Sequence, residues 1–279
     1  MKITPSDGIL LPRTEVLIPQ IGFGLFLVEP DDTVRVVDDA LAVGYRHFDT
    51  ASAYNNEQQL GIALSHSGLA RSDYFVTTKL WNDDHGAHKA ADAIDRSLEL
   101  LGLSYTDLFL IHWPAPQRGL FVETWAALVA AQQAGKTRAI GVSNFLPEHI
   151  DQLTKAGLPT PSVDQIELHP AFQQREIRAE LTAADIRVES WAPMGHGAYD
   201  LRELEPLMRI ALAHEKSVHQ VALRWHLQEG LIVIPKSTQK RRMQENFDIT
   251  DFELNGTEME AIHELDEQRR IGTDPREKN

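Results

Sequence analysis

Runs rich in β-branched and aromatic residues recur along the chain every few tens of residues: "IGFGLF" (21–26), "YRHFDT" (45–50), "YFVTTKLW" (74–81), "DLFLIHWP" (107–114), "TRAIGVSN" (137–144), "VDQIELH" (163–169), "RVESWAP" (187–193) and "LIVIPKS" (231–237). Between most of them apolar residues fall at three- and four-residue intervals and the stretch closes on glycine, as in "DDTVRVVDDALAVG", "HKAADAIDRSLELLG" and "VETWAALVAAQQAG". The pattern predicts a strand followed by a helix, eight times over. Alternation of this kind calls for a parallel sheet, and eight units in this length fit a closed (β/α)8 barrel of the α/β class better than an open doubly wound sheet. The longer interval before the eighth run leaves room for two helices, "LRELEPLMRIALAHEK" and "SVHQVALRWHLQEG". Ahead of the first run, "ITPSDGILLPRTEVLIP" predicts an N-terminal hairpin, with a turn near Asp7 and Gly8, that caps the barrel floor. The end of the chain, "RRIGTDPREKN", reads as a short polar extension.

Composition narrows the class. Over 279 residues, 42% are hydrophobic and 24% charged, and no Pro/Gly/Ser-rich linker or charge block divides the chain, so one domain over 1–279 is expected. There is no apolar leader and no run of eighteen apolar residues, which predicts a cytoplasmic protein without a membrane span. Zero cysteines exclude disulfides, thiolate metal sites and cysteine nucleophiles. A formal charge of −14 argues against nucleic acid or an anionic membrane as partner; a monomer acting on a small molecule is a separate expectation. One local exception is "KSTQKRR" (236–242), with four cations in seven residues.

In barrels of this kind the chemistry sits at the carboxyl ends of the strands. Those ends carry Asp49 with Tyr54 just beyond it, then Lys79, His112, Ser143 with Asn144, Gln165, Trp191, and Lys236 with Ser237. Taken singly, each has an ordinary explanation: a helix cap, a rim phenol, a solvated lysine, a hydrogen-bonded core histidine. Together, Asp49, Tyr54, Lys79 and His112 converging on one barrel mouth could form a proton-donating phenol. A lysine cation beside tyrosine favours the phenolate and brings its pKa toward neutrality, while aspartate keeps that lysine charged and oriented. Phe26, Trp81 and Trp113 either wall an apolar substrate pocket or pack the rim. "GFGLFL" lacks the third glycine of a Rossmann fingerprint, and no H-x-H or H-E-x-x-H pattern supports a metal centre, so none is expected. His169 reads as structural, and "GHG" (195–197) as a flexible loop.

"GYRHFDTASAYNNE", "TTKLW", "LIHWP", "GVSNF", "ESWAP" and "IPKSTQKRRMQEN" stand in the order and spacing of the aldo-keto reductase superfamily, and the chain resembles its bacterial 2,5-diketo-D-gluconate reductase-like members from about Ile21 to Pro275. The resemblance implies NADPH-dependent reduction of aldehydes and ketones, among them small carbonyls, α-diketones or keto-sugar acids. It implies Tyr54 as general acid with Asp49, Lys79 and His112. It further implies Ser143, Asn144 and Gln165 on the nicotinamide carboxamide, Trp191 against the ring, and Met194 and Gly195 beside the cofactor. Lys236, Ser237, Thr238 and Arg242 match the group on the adenosine 2′-phosphate, and Glu245 and Asn246 the group at the adenine. Two departures stand out: Gln239 replaces an arginine common in relatives, and the stretch from Asp7 to Pro19 is longer than the usual hairpin. Two other functions remain open on the same residues: a Schiff-base aldolase using Lys79, and a non-catalytic nucleotide-sensing subunit.

Overall fold

The structure is a computed structural model in which residues 8–279 are described. Strands β1 (Gly8–Leu10) and β2 (Leu17–Pro19) form an antiparallel hairpin. Strand and helix then alternate through β3 (Phe23–Gly24), α1 (Pro30–Val43), β4 (His47–Asp49), α2 (Glu57–His66), β5 (Phe75–Leu80), α3 (Ala87–Leu101), β6 (Thr106–Ile111) and α4 (Phe121–Gln133). They continue through β7 (Thr137–Ser143), α5 (Pro147–Lys155), β8 (Val163–Glu167), α6 (Arg175–Ala183) and β9 (Arg187–Trp191). Two helices, α7 (Glu205–His214) and α8 (Val218–Gln228), precede β10 (Ile232–Val233), and α9 (Lys240–Phe247) and α10 (Gly256–His263) follow.

Strands β3 to β10 pair in parallel in chain order. The sheet closes on itself where Gly22 N donates to Val233 O (2.8 Å) and Gly24 N to Pro235 O (3.2 Å). This is the (β/α)8 barrel that the alternation predicts. At the seam a Cβ on Gly24 would lie 2.8 Å from Ile234 O, so the two strands meet more closely than any side chain allows. The seam strands are shorter than the runs 21–26 and 231–237, because Pro235 has no N–H to extend the ladder. Phe26 and Lys236 therefore stand in loops at the barrel mouth.

Local chemistry accounts for the helices. Pro30 and two acids open α1, where a missing N–H costs nothing and negative charge meets the positive helix end, and Gly44 ends it at φ 125°. In α3 the buried positions Ala90, Ala93, Ile94, Ser97, Leu98 and Leu101 follow a three-four spacing that makes one stripe against the sheet. On α4, Trp125 is fully buried and its indole N–H donates to Pro159 O (2.8 Å). Burial of each such large side chain contributes on the order of 2 kcal/mol, so this layer holds the strand ends in register.

The hairpin closes the barrel floor as expected. Leu11, Val16 and Ile18 pack on Phe75, Leu108, Leu110, Ala139, Val163 and Ile232, and Ser162 Oγ donates to Pro12 O (2.8 Å). Its turn lies elsewhere than expected. Gly8 belongs to β1, Asp7 lies outside the described residues, and the chain reverses between Leu11 and Val16, joined by Leu11 N to Val16 O (2.9 Å). Arg13 takes the left-handed conformation (φ 63°) there, while Thr14 Oγ1 donates to Leu11 O and accepts from Val16 N. Among the described residues no helix is long and apolar enough to cross a membrane.

Candidate active site

Beneath the barrel mouth, Lys79 from β5 and Asp49 at the end of β4 form a buried ion pair, with Lys79 Nζ donating to Asp49 Oδ1 (2.5 Å) and Thr50 O (2.9 Å). Gln165 on β8 donates from one amide nitrogen to Asp49 Oδ2 and Glu189 Oε2, each at 2.8 Å. Two buried acids thus face one buried cation, and the protons distribute accordingly. Burial works to lower Lys79, but Asp49, Tyr54 and Glu189 outweigh it and raise it, so the lysine stays an ammonium. Burial lifts Asp49 above its ordinary value against the opposing pull of Lys79 and Gln165. Burial, then repulsion from Asp49, pushes Glu189 up to about 8, which biases its carboxyl toward the neutral form. His47, whose Nε2 lies 3.6 Å from Glu189 Oε1, is lowered to about 3, mainly by burial, and is neutral.

Tyr54 ends a single turn, Ser52–Tyr54, that follows β4. Its ring centre lies 5.1 Å from Lys79 Nζ, 5.1 Å from the Phe26 ring and 5.6 Å from the His112 ring. The expectation that its pKa falls toward neutrality is corrected here. Lys79 does pull it down, but burial dominates and raises it above the ordinary phenol value. His112, just past β6, is held well below the usual imidazole value by burial and then by Lys79 and Lys278, so it is neutral and carries one N–H. Its ring meets Trp81 edge-on at 4.9 Å.

The other half of the mouth is polar. Trp191 Nε1 donates to Asn144 Oδ1 (2.8 Å), which fixes the indole. Asn144, left-handed at φ 61°, also donates to Ser143 Oγ and His112 O (both 3.0 Å). Ser143 Oγ donates to Gln165 O (2.8 Å). Of the four cations in 236–242, Lys240 pairs with Asp39 and Arg241 with Glu245, both at 3.1 Å. Lys236 and Arg242 form no ion pair among the described residues, and both face the cleft beside Ser237 and Thr238. Here α9 begins: Gln239 precedes it without a side-chain cap, and the N–H groups of its first turn are available to an anion. An aromatic plate, a carboxamide-sized set of donors and acceptors, and two unpaired cations at a helix start fit a phosphorylated nicotinamide dinucleotide.

All the site residues predicted from sequence except Lys79 and Gly195 line one cleft of about 1630 Å³. Lys79 lies beneath it, fully buried. Gly195 shapes the turn Gly195–Gly197 instead: at φ 74°, a Cβ there would lie 2.4 Å from the Tyr199 ring. Met194 lines the cleft, and His196 places its ring 5.7 Å from Phe26. His169 is buried between Glu167 Oε1 (3.2 Å) and Tyr199 OH (3.0 Å), the structural part expected of it. Sequence reasoning missed Glu189, although it stands two residues before Trp191 on the same strand face. It also missed the residues of the tail that line the cleft, Ile271 to Thr273 and Lys278. A Schiff-base role is poorly served by Lys79, because that chemistry needs a free neutral amine and this one is a paired ammonium.

Comparison with known proteins agrees with this geometry. The sequence model of the aldo/keto reductase family matches residues 20–267. The chain is 46% identical to the 9,11-endoperoxide prostaglandin H2 reductase of Trypanosoma cruzi over 94% of this chain and 93% of that protein. It is 43% identical to the methylglyoxal reductase DkgA of Yersinia pestis over 93% of each. The crystal structure of an aldo/keto reductase from Brucella melitensis superposes with a TM-score of 0.89 at 47% identity, covering 93% of this chain and 99% of that one. A Gox0644 variant in complex with NADPH superposes with a TM-score of 0.90 at 43% identity, covering 94% and 95%. From the closed barrel, the polar strand ends and these matches, the chain belongs to the aldo-keto reductase family of oxidoreductases.

Proposed function

We propose that this protein reduces small aldehydes and ketones to alcohols with NADPH, and that Tyr54 supplies the proton. The observation that carries the reading is the placement of Tyr54 over the Lys79–Asp49 pair and beside a neutral His112, at the mouth of a cleft whose other end offers two unpaired cations. Bound there, NADPH supplies the hydride. As the carbonyl oxygen gains negative charge, Tyr54 transfers its proton to it, and the N–H of His112 stabilises the same oxygen more in the transition state than in the substrate. Burial keeps Tyr54 protonated through the neutral range, as a donor must be, and the Lys79 ammonium stabilises the phenolate left behind. Asp49, accepting directly from Lys79 Nζ, holds that ammonium in place.

Trp191, Ser143, Asn144 and Gln165 would hold the nicotinamide end. Lys236, Ser237, Thr238 and Arg242 would take the 2′-phosphate, and Glu245 and Asn246 the adenine. Phe26, Trp81 and Trp113 would wall the substrate. The reductase names of the relatives support the reaction class. The test is NADPH consumption by the purified protein with methylglyoxal, simple aldehydes, α-diketones and keto-sugar acids, with the alcohol identified as product. No consumption with any of them would overturn the reading.

A further inference from the structure

Gln165 reaches across the barrel. Its strand, β8, stands four places from β4 in the eight-stranded ring, so Asp49 faces it from the opposite wall, while the register of β8 on β9 sets Glu189 directly beside it. One amide nitrogen donates to both acids, to Asp49 Oδ2 and to Glu189 Oε2, each at 2.8 Å. An ionised carboxylate only accepts, so this nitrogen is the NH2 and both of its hydrogens are used. A single hydrogen bond would let the amide turn about it; two fix its plane. The carbonyl end, Oε1, is thereby set away from both acids. It accepts no hydrogen bond from the described residues, and Gln165 lines the cleft.

Glu189 holds Gln165 and nothing else by hydrogen bonding among the described residues. Its Oε1 is buried without a partner. The His47 Nε2 that lies 3.6 Å from it presents a lone pair, because Nδ1 is the nitrogen facing Pro19 O (3.3 Å) and must carry the hydrogen. A fully buried acid with one bond is a poor way to fill a core, which points to the group it holds. Next to Gln165 the other polar groups are engaged: Ser143 Oγ donates to Gln165 O and accepts from Asn144 Nδ2, and Asn144 Oδ1 accepts from Trp191 Nε1. Of these three side chains, only Gln165 has an acceptor without a donor already on it.

We propose that Glu189 is a positioning residue for the cofactor: acting through Gln165, it holds an acceptor against the carboxamide NH2 of the nicotinamide and makes the site selective for that carboxamide. The inference rests on the NADPH reading above and deepens it. Without Glu189, one Gln165 hydrogen is stranded in the core and the amide plane is free to turn, so the acceptor is no longer aimed.

The test titrates three ligands by calorimetry: NADP+, its 3-acetylpyridine analogue, in which a methyl replaces the carboxamide NH2, and 2′-phospho-ADP-ribose, which lacks the nicotinamide. The proteins are wild type, the apolar variants Glu189→Leu and Glu189→Met, and Glu189→Gln. Wild type is expected to prefer NADP+ to the analogue by about fivefold, the size of one neutral hydrogen bond. In the apolar variants that preference should fall toward one while 2′-phospho-ADP-ribose binds nearly as before, which also reports an intact fold. Glu189→Gln should keep the preference, because its carbonyl can accept from Gln165 while its NH2 meets the His47 lone pair; mere filling of the core would not separate it from Glu189→Met. No preference in wild type, an unchanged preference in the apolar variants, or a Glu189→Gln that behaves as they do overturns the proposal. If wild type binds NADP+ and any of these occurs, only the role of Glu189 fails; if it binds none of the three ligands, the NADPH reading fails and this one with it.

Discussion

Lys79 Nζ and Asp49 Oδ1 lie 2.5 Å apart in the barrel core, with side-chain exposures of 0% and 2%. An isolated charge of either sign would be costly at this depth, so each makes the other tolerable, and the pair sets a positive charge under Tyr54. Removing one partner strands the other. Lys79→Met is expected to lose about 3 kcal/mol of stability or more, and Lys79→Met combined with Asp49→Asn to recover much of it. Urea unfolding of the three proteins checks this; additive losses in the double variant would count against the pair.

Tyr54→Phe removes the phenol oxygen and little else. Reductase activity should drop about a hundredfold or more, with NADPH affinity nearly unchanged, because the loss falls on the proton transfer. Steady-state kinetics alongside a fluorescence titration of NADPH separate the two quantities, and near-wild-type turnover would remove Tyr54 from the role proposed for it.

The pairing of the basic segment makes a selective prediction. Lys240 and Arg241 are already engaged by Asp39 and Glu245, whereas Arg242 is not. Arg242→Ala should weaken NADPH about tenfold and leave NADH almost untouched, the modest size reflecting an exposed guanidinium. Lys240→Ala and Arg241→Ala should leave both affinities nearly the same. Equal losses for the two nucleotides in Arg242→Ala would show that it does not read the phosphate.

Glu189 predicts a pH effect on stability. Its carboxyl is raised from an ordinary value near 4.5 to about 8 in the folded protein, by burial first and then by Asp49. Between those two values the folded state holds a proton that the unfolded state has released. Glu189 therefore favours folding fully only below the lower value, and stability is lost as pH rises toward about 8. Glu189→Gln removes this dependence. Relative to wild type, the variant should become steadily more stable from about pH 5 to 8 and then level off. Urea unfolding across that range checks it, and parallel stability curves for the two proteins would mean that Glu189 is ionised in the fold.

Much of the site was legible because a barrel converts strand order into proximity. Once eight strands alternate with helices, the residues closing each strand must meet at one end, so Asp49, Lys79, His112, Asn144, Gln165 and Trp191 could be grouped from local patterns. Glu189 escaped notice because an acid two residues inside a strand looks like any polar position until burial reveals that it shares the Gln165 amide with Asp49.

The sequence by itself determined the barrel, the floor hairpin, the polar strand ends and the basic segment after the eighth strand, since each depends on spacing within a few tens of residues. Tertiary structure alone decided which cations stay unpaired, because Lys240 finds its partner on α1, two hundred residues earlier in the chain. It decided that burial, and not Lys79, sets the direction of the Tyr54 shift, because desolvation depends on everything packed around the phenol. It also decided that Lys278, in a segment with no pattern of its own, lies over Trp81 and Trp113, a contact made only when Glu167, Glu148 and Gln117 pin the tail across the mouth.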